Sequence, residues 1–167
     1  YLYGFRSESL WGMILGDQQQ YVARVPKTDL ASTASWEFWG CPVGTPPGDC
    51  ERASTWRTEA ALARPMAFQD SGSPDQANKP PIAAFHVTRL DNGTYFAVAK
   101  GSDLRPQAPT AELEEVYAWT SADPTGPWVP YGPIATATVP TAGSSTGWSY
   151  VAQLIDTPGA GWLVTWN

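Results

Sequence analysis

Apolar and polar residues alternate along this chain in short bursts, none long enough for an amphipathic helix. The bursts fall at residues 1–6, 21–25, 36–40, 82–90, 94–100, 113–120, 126–131, 148–155 and 161–167. Each is rich in aromatic and β-branched residues, and Pro, Gly, Asn and Asp cluster between them. That combination predicts short strands joined by turns. Asp91-Asn92-Gly93 predicts a tight hairpin, because Asn-Gly tolerates positive φ. Residues 51–81 are harder to read. Within them, 53–62 fits either a short strand around Trp56 or a single helical turn, and 69–81 (QDSGSPDQANKPP) reads as loop. No stretch carries a sustained apolar stripe at helical spacing, so the expected class is all-β.

The bursts repeat. Tyr21-Val22-Ala23-Arg24 is followed by Trp36 and Gly40, and Val116-Tyr117-Ala118-Trp119 by Trp128 and Gly132. Aromatic runs precede both blocks, at 1–5 and 93–99, and a third run occupies 161–167. Repeats of about 40–50 residues built from short strands indicate a β-propeller, one blade per unit. The count gives the last three strands of one blade, four of a second and the first two of a third. The expectation is therefore part of a β-propeller, about two and a half four-stranded blades. It forms a single partial domain over 1–167, with blade parts at 1–40, 82–132 and 148–167. A propeller removes its strand edges by closing. Hence another polypeptide or a second copy is expected to complete the ring, unless further blades have been cut away. Tyr1 already reads as strand and no initiator Met precedes it, so the chain reads as processed or as a fragment.

Composition narrows the function. The net charge is −6 and the pI about 4.6. Nucleic acids and anionic membranes need clustered Lys and Arg, so neither is an expected partner. No run of about 18 apolar residues is present, so no membrane span is expected. Cys41 and Cys50 bracket the turn-rich Pro-Val-Gly-Thr-Pro-Pro-Gly-Asp. A local disulfide is expected there, and with it an oxidising, extracellular setting; two buried thiols are the alternative. Two Cys and one distant His make no recognisable zinc set.

Several segments carry a resemblance. These are Tyr3-Gly4-Phe5, Tyr21-Val22-Ala23-Arg24-Val25-Pro26, Trp36-Glu37-Phe38-Trp39-Gly40, Gly126-Pro127-Trp128 and Trp162-Leu163-Val164-Thr165-Trp166-Asn167. Together they resemble secreted five-bladed β-propellers of the glycoside-hydrolase type, which include arabinanases, related furanosidases and uncharacterised actinobacterial relatives. The resemblance covers most of the chain but about half of a full propeller, and its motifs are structural. It implies a secreted hydrolase of a cell-wall polysaccharide such as arabinan. A non-catalytic glycan-binding propeller and a structural subunit of a larger assembly are the alternatives. No cofactor is expected. The resemblance would allow calcium in the central channel, although no dense acidic ligand cluster is visible. In one respect the chain departs from the pattern. Such enzymes place acids at the starts of inner strands, and the inner strands read here, 82–90 and 148–155, contain none.

The ligand end of a propeller is built by loops entering the first strand and joining the second to the third. Those are 69–81, 140–147, 7–19 and 101–112. Glu8 and Asp75 are the candidate catalytic pair, one as acid and one as base or nucleophile. Asp103, Trp11, Trp148, Tyr150 and His86 are candidates for holding the sugar, the aromatic rings by stacking and His86 from an inner strand. Each loop acid has a competing role as a solvated charge, and His86 as a hydrogen-bonded core residue. Asp29 and Asp123 sit at matching places after the third strand, which favours turn capping. Arg24 and Arg89 are expected to pair with acids of neighbouring blades, and Arg6 to do so or to hold a ligand carboxylate. Trp36, Trp39, Trp119, Trp128, Trp162 and Trp166 recur with the blades and are expected to pack between them. Asn92-Gly93-Thr94 also fits a glycosylation sequon, though the turn alone accounts for it.

Overall fold

A computed structural model describes residues 1–6, 19–46, 49–68, 82–102, 113–138, 153–157 and 161–165. The chain is all-β and takes the form of part of a propeller. The first sheet contains β1 (Leu2–Arg6), β2 (Gln19–Arg24), β3 (Glu37–Gly40) and β4 (Thr55–Arg57), in that order. The second contains β5 (Ile82–Arg89), β6 (Tyr95–Ser102), β7 (Leu113–Ser121) and β8 (Val129–Thr138), also in order. β9 (Gln153–Thr157) and β10 (Gly161–Thr165) form a two-stranded sheet. All pairings between these strands are antiparallel. Among the described residues one short α-helix, α1 (Cys50–Ala53), and three 3-10 turns interrupt the strands.

The two large sheets are built alike. Leu2 pairs with Ala23 and Ala23 with Phe38. In the second sheet Ala97 pairs with Trp119 and Trp119 with Pro130. Burial follows the same rhythm along Gln20–Arg24 and Val116–Thr120. The true equivalent of Tyr21 is therefore Tyr117, one residue later than the sequence blocks suggest. Bulges in β7–β8, at Val116/Tyr117 and Ala118/Trp119, absorb the slip.

The direction of β1 fixes its place. Tyr1 lies 6.2 Å from Tyr95, whose pairing partner Arg89 ends β5. β1 thus begins where β5 finishes and runs opposite to it, as β6 does. It is the second strand of its blade, and β2 and β3 are the third and fourth. β4 is an addition outside them, recruited from the stretch that the sequence left open. β8 also runs further than expected, to Thr138. It passes Pro130 and Pro133, which an outermost strand accommodates and which protect that edge from further pairing. β9 sits later than expected, so Asp156 lies within an inner strand. The expectation of acid-free inner strands therefore holds for β5 and fails for β9.

The sheets meet through an aromatic core. Val22, Met66, Phe85, Ala97, Ala99, Trp119 and Trp128 are buried together, and Trp128 is fully enclosed. Phe85 sits 5.0 Å from Trp128 in an edge-on contact, and Tyr3 and Phe68 approach it edge-on as well. Such pairs add about 1 kcal/mol each beyond the area they bury. Trp119 and Trp128 therefore pack between blades as expected, while Trp39, partly buried against the same core, meets Trp56 of its own sheet edge-on. Trp36 does not pack between blades: its indole N–H donates to the Leu30 carbonyl and closes its own loop. The other side of the second sheet buries Val98, Val116 and Ala118, and β9 approaches β5 and β6.

Residues 63–68 strap the two sheets together. Ala63 bridges to Gly40, Arg64 N–H donates to Trp39 O, and Met66 N–H donates to Gln20 O. Trp128 N–H then donates to Ala67 O, and Phe68 bridges to Trp128. This satisfies strap backbone that would otherwise be buried without partners.

Candidate functional site

The strand directions sort the connections into two ends. At one end lie the Leu90–Thr94 turn, the 122–128 turn and the 25–36 connection. Asn92 Oδ1 accepts from Thr94 N–H, and Gly93 takes φ +87°, as the hairpin requires. Asp123 Oδ1 accepts from both Thr125 N–H and its hydroxyl, so Asp123 caps its turn as expected. Asp29 lies in a 3-10 turn and makes no comparable side-chain bond among the described residues. Tyr3 reaches this end and donates its hydroxyl to Pro124 O. Burial, and then nearby Tyr95, Tyr1 and Asp123, push its pKa well above the ordinary tyrosine value, so it remains a neutral donor.

At the other end lie flanks of the connections expected from the sequence to carry the ligand residues. Arg6 and Gln19 flank residues 7–18 as a pair across β1 and β2. Ser102 pairs with Glu114 on either side of 103–112. Leu113 pairs with Thr138, from which 139–152 departs, and Ile82 pairs with Lys100, where 69–81 arrives. Residues 7–18 and 103–112 are thus flanked on both sides at this end, whereas 69–81 and 139–152 each have one flank here; 69–81 departs from Phe68, beside Trp128 at the turn end. Glu8, Trp11, Asp75, Asp103, Trp148 and Tyr150 belong to them and lie outside the described residues. Arg6 stands at the same end, exposed, with no ion-pair partner among the described residues. The disulfide Cys41–Cys50 staples the β3–β4 connection, with Cα atoms 5.6 Å apart. It leaves β3 from this end too.

His86 is described. It pairs with Val98 beside the β5 bulge and is half-buried. Burial lowers its pKa from the ordinary 6.5, so the neutral ring is favoured. Among the described residues no group of three His, Cys, Asp or Glu could hold a metal ion. No described helix is long and apolar enough to cross a membrane.

Sequence reasoning missed a concavity at the turn end. It is an open groove of about 310 Å³ lined by Tyr1, Arg24, Val25, Pro26 and Glu37. Arg24 Nε donates to Glu37 Oε2 at 2.7 Å, and its guanidinium lies 4.6 Å over the Trp56 ring. Arg24 therefore pairs within its own sheet, not with a neighbouring blade. Arg89 likewise stays local, 5.9 Å over Tyr95. The missing signal was β4: without Trp56 in the sheet, nothing marks this corner.

No curated protein and no solved structure matches this chain. Residues 1–156 match one described family, and over that span the chain belongs to it: Domain of unknown function (DUF5005).

Proposed function

We propose that this chain is the glycan-handling part of a secreted β-propeller that hydrolyses a cell-wall polysaccharide such as arabinan. One observation carries this reading. Each of the four segments that hold Glu8, Trp11, Asp75, Asp103, Trp148 and Tyr150 has at least one flank at the same end of the sheets. Two carboxylates brought together there can divide the work. One, with its pKa raised by burial, protonates the leaving oxygen, and the other activates water or attacks the sugar. Aromatic rings hold the apolar face of the sugar, and Arg6, without an ion-pair partner among the described residues, is a cation for an acidic substituent. The disulfide suits an oxidising, extracellular setting.

A further strand on the inner edge of β1, from this protein itself or from a second polypeptide or copy completing the ring, belongs to the same proposal. β6 carries β5 on its inner edge, and the corresponding edge of β1 is open among the described residues. A non-catalytic glycan-binding propeller is the competing reading, favoured because β5 carries no carboxylate. Assaying released sugar from an arabinan panel separates the two. Hydrolysis that falls at least about 100-fold in Asp75→Asn and Glu8→Gln supports catalysis by these acids. Binding without released sugar supports the competing reading, and neither binding nor hydrolysis of any glycan rejects both.

A further inference from the structure

We propose that the groove at the turn end is a second carbohydrate subsite, which takes one neutral sugar residue through its apolar face and a vicinal diol. This site lies at the opposite end from the strand ends that hold Arg6, Gln19, Ile82, Ser102 and Thr138, and does not depend on the chemistry of the residues beyond them. Its parts are fixed by the fold. Tyr1 is 56% exposed, yet its ring is held against Trp56 at 5.8 Å and Tyr95 at 6.2 Å. It therefore offers a flat, pre-oriented face at little entropic cost. Val25 and Pro26 supply an apolar floor.

Arg24 and Glu37 supply the polar wall. Their side chains remain 42% and 38% exposed while bonded to each other. The Arg24–Glu37 bond and the Trp56 ring hold the guanidinium in place, leaving its outer N–H groups to donate. Glu37 keeps its second oxygen to accept. A donor and an acceptor side by side match adjacent sugar hydroxyls, one accepting and one donating. Because the charges are already paired, the wall is close to neutral and favours no anion. The groove volume of about 310 Å³ is enough for one sugar ring.

The test is an NMR titration of the full chain with arabinotriose, xylotriose and cellotriose. At least one is expected to give saturable shifts at the Arg24, Val25 and Glu37 amides and the Trp56 indole. Tyr1→Ser should weaken that binding at least about tenfold, whereas Tyr1→Phe retains it, since the ring and not the hydroxyl stacks. Glu37→Gln should weaken it about fivefold by removing the charged acceptor. Unchanged thermal transitions would show that the variants remain folded. Asp75→Asn should keep the groove shifts, which separates this site from the hydrolytic reading. The proposal is overturned if none of the three sugars shifts the groove, or if Tyr1→Ser and Glu37→Gln bind as the parent does.

Discussion

Single residues set tight limits in this fold. Gly40 is one. A Cβ there would overlap the Leu62 carbonyl oxygen and lie 2.8 Å from the Leu62 carbonyl carbon. Both are backbone atoms of the chain that leads into the strap, so neither can move aside cheaply. Gly40→Ala is expected to cost about 3 kcal/mol, read as a lower denaturant midpoint with an unchanged slope. An unaffected midpoint would mean that the strap is not pressed against β3. His86 sets a different limit. Its folded pKa is depressed by burial, so the unfolded chain takes up the proton first as pH falls. The stability it permits is complete above about pH 7 and declines as pH drops through about 6.5. Thermal melts from pH 5 to 8 should show this slope in the parent and a smaller one in His86→Gln.

At the scale of elements, the regular strands were legible and the irregular ones were not. β5, β6 and β7 alternate clearly, and Asn92-Gly93 announces their hairpin. β4 is three residues long and carries no period, so only its pairings with β3, Phe38–Arg57, Trp39–Trp56 and Gly40–Thr55, identify it as strand. The strap 63–68 was invisible because its partners are backbone atoms far away in sequence. The disulfide was legible from two cysteines nine residues apart around turn residues. Closing so short a loop stabilises by about 2–3 kcal/mol in the chain-entropy picture. Cys41→Ser with Cys50→Ser should lower the unfolding free energy by that amount. Reduction of the parent should match the double variant; a reduced parent as stable as the oxidised one would remove the disulfide from the stability account.

For the whole molecule, the repeat did most of the work. The aromatic runs and the blocks Tyr21-Val22-Ala23-Arg24 and Val116-Tyr117-Ala118-Trp119 showed that the sheets are copies, and the register confirms it to within one residue. The sequence did not reveal which corners become grooves, because that depends on how the sheets sit face to face. Arg24 and Tyr1 are 23 positions apart and meet only through β1–β2 pairing and β4. The expected ligand loops were legible as a set, and strand direction puts at least one flank of each at the same end. The most direct test is hydrogen–deuterium exchange of the native particle with and without an arabino-oligosaccharide. The account predicts protection within 7–18, 69–81, 103–112 or 139–152, in at least two of these segments. Bound sugar that protects none of the four would contradict it.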